Sequence, residues 1–509
     1  MTFNYIYNQE TKCFARHNTL VYAVEMLTTN RNRACCVERS YVRKIYDYFK
    51  SMDESQEYRE VQKIDINYIK DWEFLFDTCV GSKRPQELTV CYLSGPEPQN
   101  DFDELISLGI LPQNIWAFES DNRTYLKALS AYDNSIFPQP KIVKTSVEQF
   151  FKQTPKKFDI IYIDACGSLV SDQHSLRCVS SLFKFHRLNS PGIVITNFAS
   201  PDISNPSDLN IYVNLITQYI FFKTYPNASI ELDKDVIVTD LFLELKAKVK
   251  TNFSEYYSEF ITASIRDIGS ILVPVLRFAN SNYISGIANN YGNIVSKKFS
   301  IEQLNMIKNN SLYKFTGLIK LIEDQTIQPN QSVEKSRKFL SELSGVDDLY
   351  LKLFDSFRIL SEIKNNNEYL NNDIIEIKSF FDNGQDMYRF LDKPNSNLFF
   401  DLIINQLAYP MHYNAEAIKR YTYNAKKTDM YMDIIIFDEC RYIYDWLPTL
   451  HQIKNAFSNP SWQCVFRFAL DGLIKQRINY NNEYFFQGSV IDKNVNGFRN
   501  KIIDERIKI

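Results

Sequence analysis

Between residues 87 and 198 the chain alternates short apolar runs with amphipathic ones, and this rhythm constrains the fold more than any other feature. "ELTVCYL" (87–93), "NIWAFES" (114–120), "KIVKT" (141–145), "FDIIYID" (158–164) and "GIVITNF" (192–198) read as strands. Between them, "PQNDFDELISLG" (98–109), "DNRTYLKALSAY" (121–132), "SVEQFFKQ" (146–153) and "QHSLRCVSSLFKF" (173–185) read as helices. Fully apolar strands joined by helical crossovers are strands buried on both faces. The expected fold is therefore α/β, with a doubly wound parallel sheet. The 98–109 segment is punctuated accordingly. Pro98 suits a first helical position, Asp101, Asp103 and Glu104 face the positive end of the dipole, and Gly109 can close the last turn.

The flanks have a different rhythm. Residues 1–85 read as helical, with Tyr41, Ile45, Tyr48 and Phe49 on one face of "SYVRKIYDYFKSM", and "GSKRPQE" (81–87) marks a boundary. A Rossmann-like domain is expected over 86–245 and a mainly α-helical region over 246–509, broken at "TIQPNQS" and "DKPNSN". "YMDIIIFD" (431–438) reads as a strand or the start of a helix, and "NEYFFQGSVI" (482–491) as a strand or hairpin arm.

Composition narrows the class. With 45% hydrophobic and 23% charged residues, and few Gly and Pro, the chain reads as a soluble globular protein without long linkers. A net charge of −3 argues against a wholly basic nucleic-acid coat but leaves room for local basic patches. No stretch reaches the roughly 18 apolar residues of a membrane span. The start has no secretion signal. Nine scattered cysteines without a CxxC, beside five histidines, fit reduced thiols in the cytoplasm and argue against a structural zinc site.

In a doubly wound sheet the ligand lies outside the carboxyl ends of the strands. The first strand ends in "LSGPEPQN", with Ser94 and Gly95 at the turn, and the second in Glu119, at a spacing suited to hydrogen bonds from ribose hydroxyls. Ser146 and Val147 follow the third strand, Asp164 ends the fourth, and Asn197 lies at the end of the fifth as a candidate substrate contact. Residues 86–200, in this order, resemble the class I S-adenosylmethionine-dependent methyltransferases. The resemblance implies that S-adenosylmethionine is the cofactor and that the first turn holds its methionine and ribose side. It further implies that Glu119 binds the ribose, Ser146 or Val147 meets the adenine, and "DACGS" (164–168) faces the transferred methyl group. Asp164 would then orient or deprotonate the acceptor. The fourth-strand loop resembles the "DPYGS"-type loop of tRNA guanosine N2-methyltransferases, with Ala165 and Cys166 replacing the proline and aromatic residue. Tyr92 stands where the family often has an acid, and Glu97 where it has a third glycine.

Other signals have plainer readings. Cys166 reads as a small buried thiol, His174 and His186 as structural, and Arg31, Arg33 and Arg39 around Cys35-Cys36 as a solvated helix face. "YMDIIIFDEC" mimics a Walker B strand, but no Gly-Lys-Ser/Thr accompanies it, which excludes a P-loop ATPase. "HYNAEAIKRYTYNAKK" (412–427) interleaves Lys419, Arg420, Lys426 and Lys427 with Tyr413, Tyr421 and Tyr423. It reads either as an exposed amphipathic helix or as a patch that holds phosphates and stacks bases. The expectation is a methyltransferase acting on nucleic acid, with Lys419 and Arg420 as substrate contacts. The alternative is a divergent methyltransferase-like fold that acts as a nucleotide sensor or a scaffold with protein partners, as in a defence system.

Overall fold

The computed structural model describes residues 10–51, 56–137, 141–165, 167–170, 175–224, 235–279, 366–383, 406–425, 427–468 and 503–509, with isolated positions between 284 and 363. Five strands, β1 (Val90–Leu93), β2 (Ile115–Phe118), β3 (Ile142–Val143), β4 (Phe158–Asp164) and β5 (Leu188–Ala199), pair in parallel in the order 3-2-1-4-5. The order reverses between β1 and β4, which makes that crevice the switch point. The five expected strands thus form the mixed α/β fold, although β3 is only two residues long.

The sheet then continues with residues from the far end of the chain. β8 (Thr428–Asp438) runs antiparallel to β5, with Gly192–Ala199 against Met430–Phe437. β7 (Lys419–Ala425) and β6 (His412–Tyr413) pair antiparallel with β8, and β9 (Ile507–Lys508) lies parallel to β7. The region expected to be mainly helical beyond residue 246 therefore supplies four strands. "YMDIIIFD" resolves to a strand. "KRYTYNA" is also a strand, which overturns the reading of 412–427 as an amphipathic helix. Its Tyr and Thr residues fit a pleated surface, and the basic-aromatic interleaving is the period of a strand. "NEYFFQGSVI", Lys426, Cys166 and His174 lie outside the described residues.

Both faces of the sheet are covered, which is why β4, β5 and β8 carry unbroken apolar runs at Ile160–Ile163, Ile193–Ile195 and Ile434–Phe437. One face buries Val90, Tyr92, Ile160, Tyr162, Ile193, Ile195, Met432, Ile434 and Ile436. It packs under α1 (Glu10–Leu27) through Ala15, Leu20, Ala23, Val24 and Leu27. Phe102 and Leu105 of α2 (Gln99–Ser107) cover the same face, and α3 (Asn122–Ala131) follows β2. The other face buries Cys91, Phe118, Ile161, Ile163, Val194, Ile435 and Phe437 beneath α4 (Val147–Gln153) and α5 (Ser175–Lys184). A long helical stretch, including α6 (Phe253–Asp267), joins that layer, as the aromatic-rich sequence there suggested.

Asp438, the apparent Walker B acid, closes the end of β8. Its Oδ1 accepts hydrogen bonds from the Ser190 hydroxyl (3.0 Å) and the Cys440 N–H (2.9 Å). Its Oδ2 accepts from the Cys36 N–H (2.9 Å) and the Tyr442 hydroxyl (2.5 Å). One buried carboxylate thus binds the N-terminal segment, β5 and the turn after β8. Removing it would strand buried donors at about 1–3 kcal/mol each. Asp438→Ala is therefore expected to lower unfolding free energy by at least about 3 kcal/mol in urea titrations. A loss below about 1 kcal/mol would show that the clasp is dispensable.

Candidate functional site

The carboxyl ends of β1, β2, β3 and β4 open into a cavity of about 1480 Å³. Its wall contains Ser94 and Gly95 after β1, Glu119 after β2, Ser146 and Val147 after β3, and Asp164 at the end of β4. Lys12 and Arg16 from α1 and Gln99 and Asp101 from α2 line the same space. Asn197, Lys419 and Arg420 do not.

The turn after β1 answers its unusual sequence. Gly95 has φ +57°, and open space surrounds the position where a Cβ would project. The positive φ is what calls for glycine at this position. The rest of the loop is held from beneath. The Tyr92 hydroxyl donates to the Pro98 carbonyl (2.9 Å) and meets the Tyr132 hydroxyl at 2.7 Å, both rings being buried. Tyr92 therefore braces the loop from the core.

Glu119 is half-buried at the cavity wall. Burial raises its pKa, while the Asp121 N–H donates to its Oε1 at 2.8 Å. Asp121 itself caps α3 by accepting from the Thr124 N–H (2.8 Å). Ser146 caps α4 through the Gln149 N–H (3.2 Å), and Val147 is buried beside it.

At the other end of the cavity two cations meet two carboxylates. Lys12 Nζ lies 2.7 Å from Asp164 Oδ2, and Asn197 Nδ2 donates to Asp164 Oδ1 at 2.7 Å. Asn197 is fully buried and also donates to the Tyr423 hydroxyl (2.7 Å), so it supports Asp164 from behind the wall. Burial opposes the Lys12 ammonium, but the Asp164 carboxylate outweighs it and the pKa ends up raised. Arg16 faces Asp101 at 3.7 Å. Asp101 Oδ1 and Gln99 Oε1 are buried and accept no hydrogen bond, and burial pushes the Asp101 pKa up to about 6 against the pull of Arg16. Such an end can take a group that carries both an ammonium and a carboxylate. The sequence signal for these residues was present: Lys12 and Arg16 stand four apart on one helix face. Local pattern assigns Asp101 only to the start of a helix.

Lys419 pairs with Asp504 (2.6 Å), while Arg420 is buried, ion-paired with Glu259 and donating to the Asp504 carbonyl. Arg31 is buried and donates to the Val80 carbonyl (2.8 Å), and Arg39 pairs with Asp77. His186, with φ +52°, lies outside the cavity wall, and burial lowers its pKa to about 4. Among the described residues, Cys36, Asp438 and Cys440 bring possible metal-ligand atoms within 4.8 Å of one another. The four hydrogen bonds on Asp438 already use both of its oxygens, so the cluster reads as the clasp described above. No helix among the described residues is long and apolar enough to cross a membrane.

No protein-family model matches this chain, and no curated protein matches it. Solved structures similar to it include an S-adenosylmethionine-dependent methyltransferase from Clostridium acetobutylicum, at 15% identity and a TM-score of 0.18, over 31% of this chain and 57% of that one. Another is the magnesium protoporphyrin IX methyltransferase of Synechocystis with bound S-adenosylmethionine, at 16% identity and a TM-score of 0.18, over 31% of this chain and 76% of that one. The chain thus spans little more than half the length of the first of these.

The raised pKa of Asp101 has a consequence for stability. Below about pH 4 the carboxyl is protonated in both folded and unfolded chains, and its contribution is fully present. As pH rises from about 4 through about 6, the native state holds the proton more tightly and stability falls. Asp101→Asn, which cannot ionise, should gain up to roughly 2–3 kcal/mol relative to wild type between pH 4 and 7.5. Urea denaturation at the two pH values reads this, and a pH-independent difference would contradict it.

Proposed function

We propose that the protein binds S-adenosylmethionine in this cavity and is a methyltransferase. The observation that carries the reading is the polarity of the cavity's two ends. Glu119 stands where a ribose diol can donate to it, and Ser146 and Val147 border the neighbouring place for a base. Lys12, Arg16, Asp101 and Gln99 form an end that matches an amino-acid head group, with the cations toward its carboxylate and the unbonded acceptor oxygens toward its ammonium. The volume exceeds the 300–1,000 Å³ of usual ligand pockets, which leaves room for an acceptor beside the cofactor.

When bound, S-adenosylmethionine supplies an electrophilic methyl group, and transfer needs little beyond an acceptor held in line. Asp164 is the group placed to hold that acceptor. Asn197 fixes one of its oxygens and Lys12 balances its charge, so Asp164 orients an acceptor N–H by accepting its hydrogen bond. Proton removal by Asp164 would first require Lys12 to move. A nucleobase amine fits this chemistry and keeps nucleic acid as the proposed acceptor class. Lys419 and Arg420 lend that acceptor no support, because they do not line the cavity.

A second reading rests on the same ion pair. A carboxylate held by Lys12 and Asn197 suits a protein that binds the nucleoside without transferring methyl, as a sensor or scaffold would.

Calorimetry with S-adenosylhomocysteine and 5′-methylthioadenosine, which lacks the amino-acid head, separates the two ends of the cavity. Glu119→Ala should weaken both ligands about tenfold or more. Lys12→Met and Arg16→Met should weaken only S-adenosylhomocysteine, by about tenfold. No binding of S-adenosylhomocysteine at millimolar concentration would sink the proposal. Binding without methyl transfer to single- or double-stranded nucleic acids would favour the second reading. Transfer unchanged in Asp164→Ala would remove that residue from its role.

A further inference from the structure

The outer edge of β7 carries a built recognition site that the cavity does not use. Ile507 and Lys508 add to it as a parallel strand, opposite Tyr421 and Thr422, and the Ile509 N–H donates to the Thr422 carbonyl (2.9 Å). Two side chains set the register. The Arg506 guanidinium enters the space between β8 and α6, where Nη1 lies 2.6 Å from Asp433 Oδ1 as an ion pair rather than an aligned hydrogen bond. It donates to the Ser258 hydroxyl (2.7 Å) and the Tyr421 carbonyl (2.9 Å), and its plane lies over the Tyr431 ring at 5.2 Å. Two residues earlier, the Asp504 carboxylate pairs with Lys419, and its carbonyl accepts from both Arg420 Nε (3.2 Å) and Nη2 (2.8 Å).

Asp433 gives the site its selectivity. It is fully buried, and its other oxygen accepts from the Thr262 hydroxyl (2.6 Å). A buried carboxylate is strongly destabilising when its cation is removed, so this groove favours an arginine over any neutral residue. Open sheet edges take extended peptides through main-chain hydrogen bonds, with side-chain pockets supplying specificity. The β7 edge has both parts: main-chain pairing at Tyr421 and Thr422, and charged readers for an acid and an arginine spaced two apart.

We propose that the β7 edge is a strand-addition site for an extended Asp-x-Arg segment, and that it takes this segment from a second copy of the chain as well as from its own. Within one chain the segment is tethered and its effective concentration is high, so the intramolecular seat dominates. Exchange between chains forms the same contacts and requires only that the intramolecular seat be weakened.

Two full-length variants test this. Arg506→Ala keeps the groove but spoils the segment, whereas Asp433→Ala keeps the segment but spoils the groove. Each alone should remain monomeric in light scattering, and an equimolar mixture should form a heterodimer through the one intact groove-segment pair. A labelled peptide of residues 503–509 should bind Arg506→Ala at least tenfold more tightly than the same peptide with its arginine replaced by alanine. If Arg506→Ala does not fold, Arg506→Lys retains the charge and serves as receptor in the same titration. A mixture that stays monomeric together with peptide binding that is absent or indifferent to arginine would overturn the proposal.

Discussion

The antiparallel seam between β5 and β8 is the constraint on which the rest of the molecule depends. Gly192–Ala199 pairs residue for residue with Met430–Phe437, so the α/β half of the chain and a hairpin from more than two hundred positions away become one sheet. Because both faces of the seam are buried, a slip of one residue would exchange the isoleucines under α1 with those under α5 and α6. Asp438 secures its end with four hydrogen bonds, including one from Cys36 in the N-terminal segment. The seam also reaches the cavity. Its register sets Tyr423 beside Asn197, and Asn197 in turn holds Asp164.

The charges at the cavity follow from that arrangement. Seated on the β5, β7 and β8 face, α1 points Lys12 and Arg16 at carboxylates supplied by β4 and α2. Balanced pairs are tolerable at this depth, whereas a lone charge would be expelled or neutralised. The balance is incomplete at Asp101, whose unbonded oxygen and raised pKa mark a place suited to a ligand's hydrogen bond. The loop after β1 shows a similar division of labour. Gly95 alone supplies the unusual backbone angle, and a tyrosine pair supplies the rigidity.

Local sequence carried the five parallel strands and their helices well, because each is encoded by a contiguous apolar period. It misread "KRYTYNA" because basic and aromatic residues interleave on strands and helices alike, and only pairing with β8 separates the two. It assigned Lys419 and Arg420 to an incoming phosphate, whereas Asp504 and Glu259, distant in sequence, already answer their charge. Asp438 resembled a nucleotide-site acid for the same reason: its four donors come from three separate parts of the chain.

By itself the sequence determined a doubly wound α/β core and the positions of Gly95, Glu119, Ser146, Val147 and Asp164 at strand ends. These follow from periods and spacings of a few residues, set by local backbone geometry and one-dimensional burial. Tertiary structure alone decided that β8 would follow β5, that α1 would bring Lys12 to Asp164, and that Arg506 would meet Asp433. Those outcomes depend on contacts between residues hundreds of positions apart, where burial and charge pairing select the partner and no local pattern records the choice.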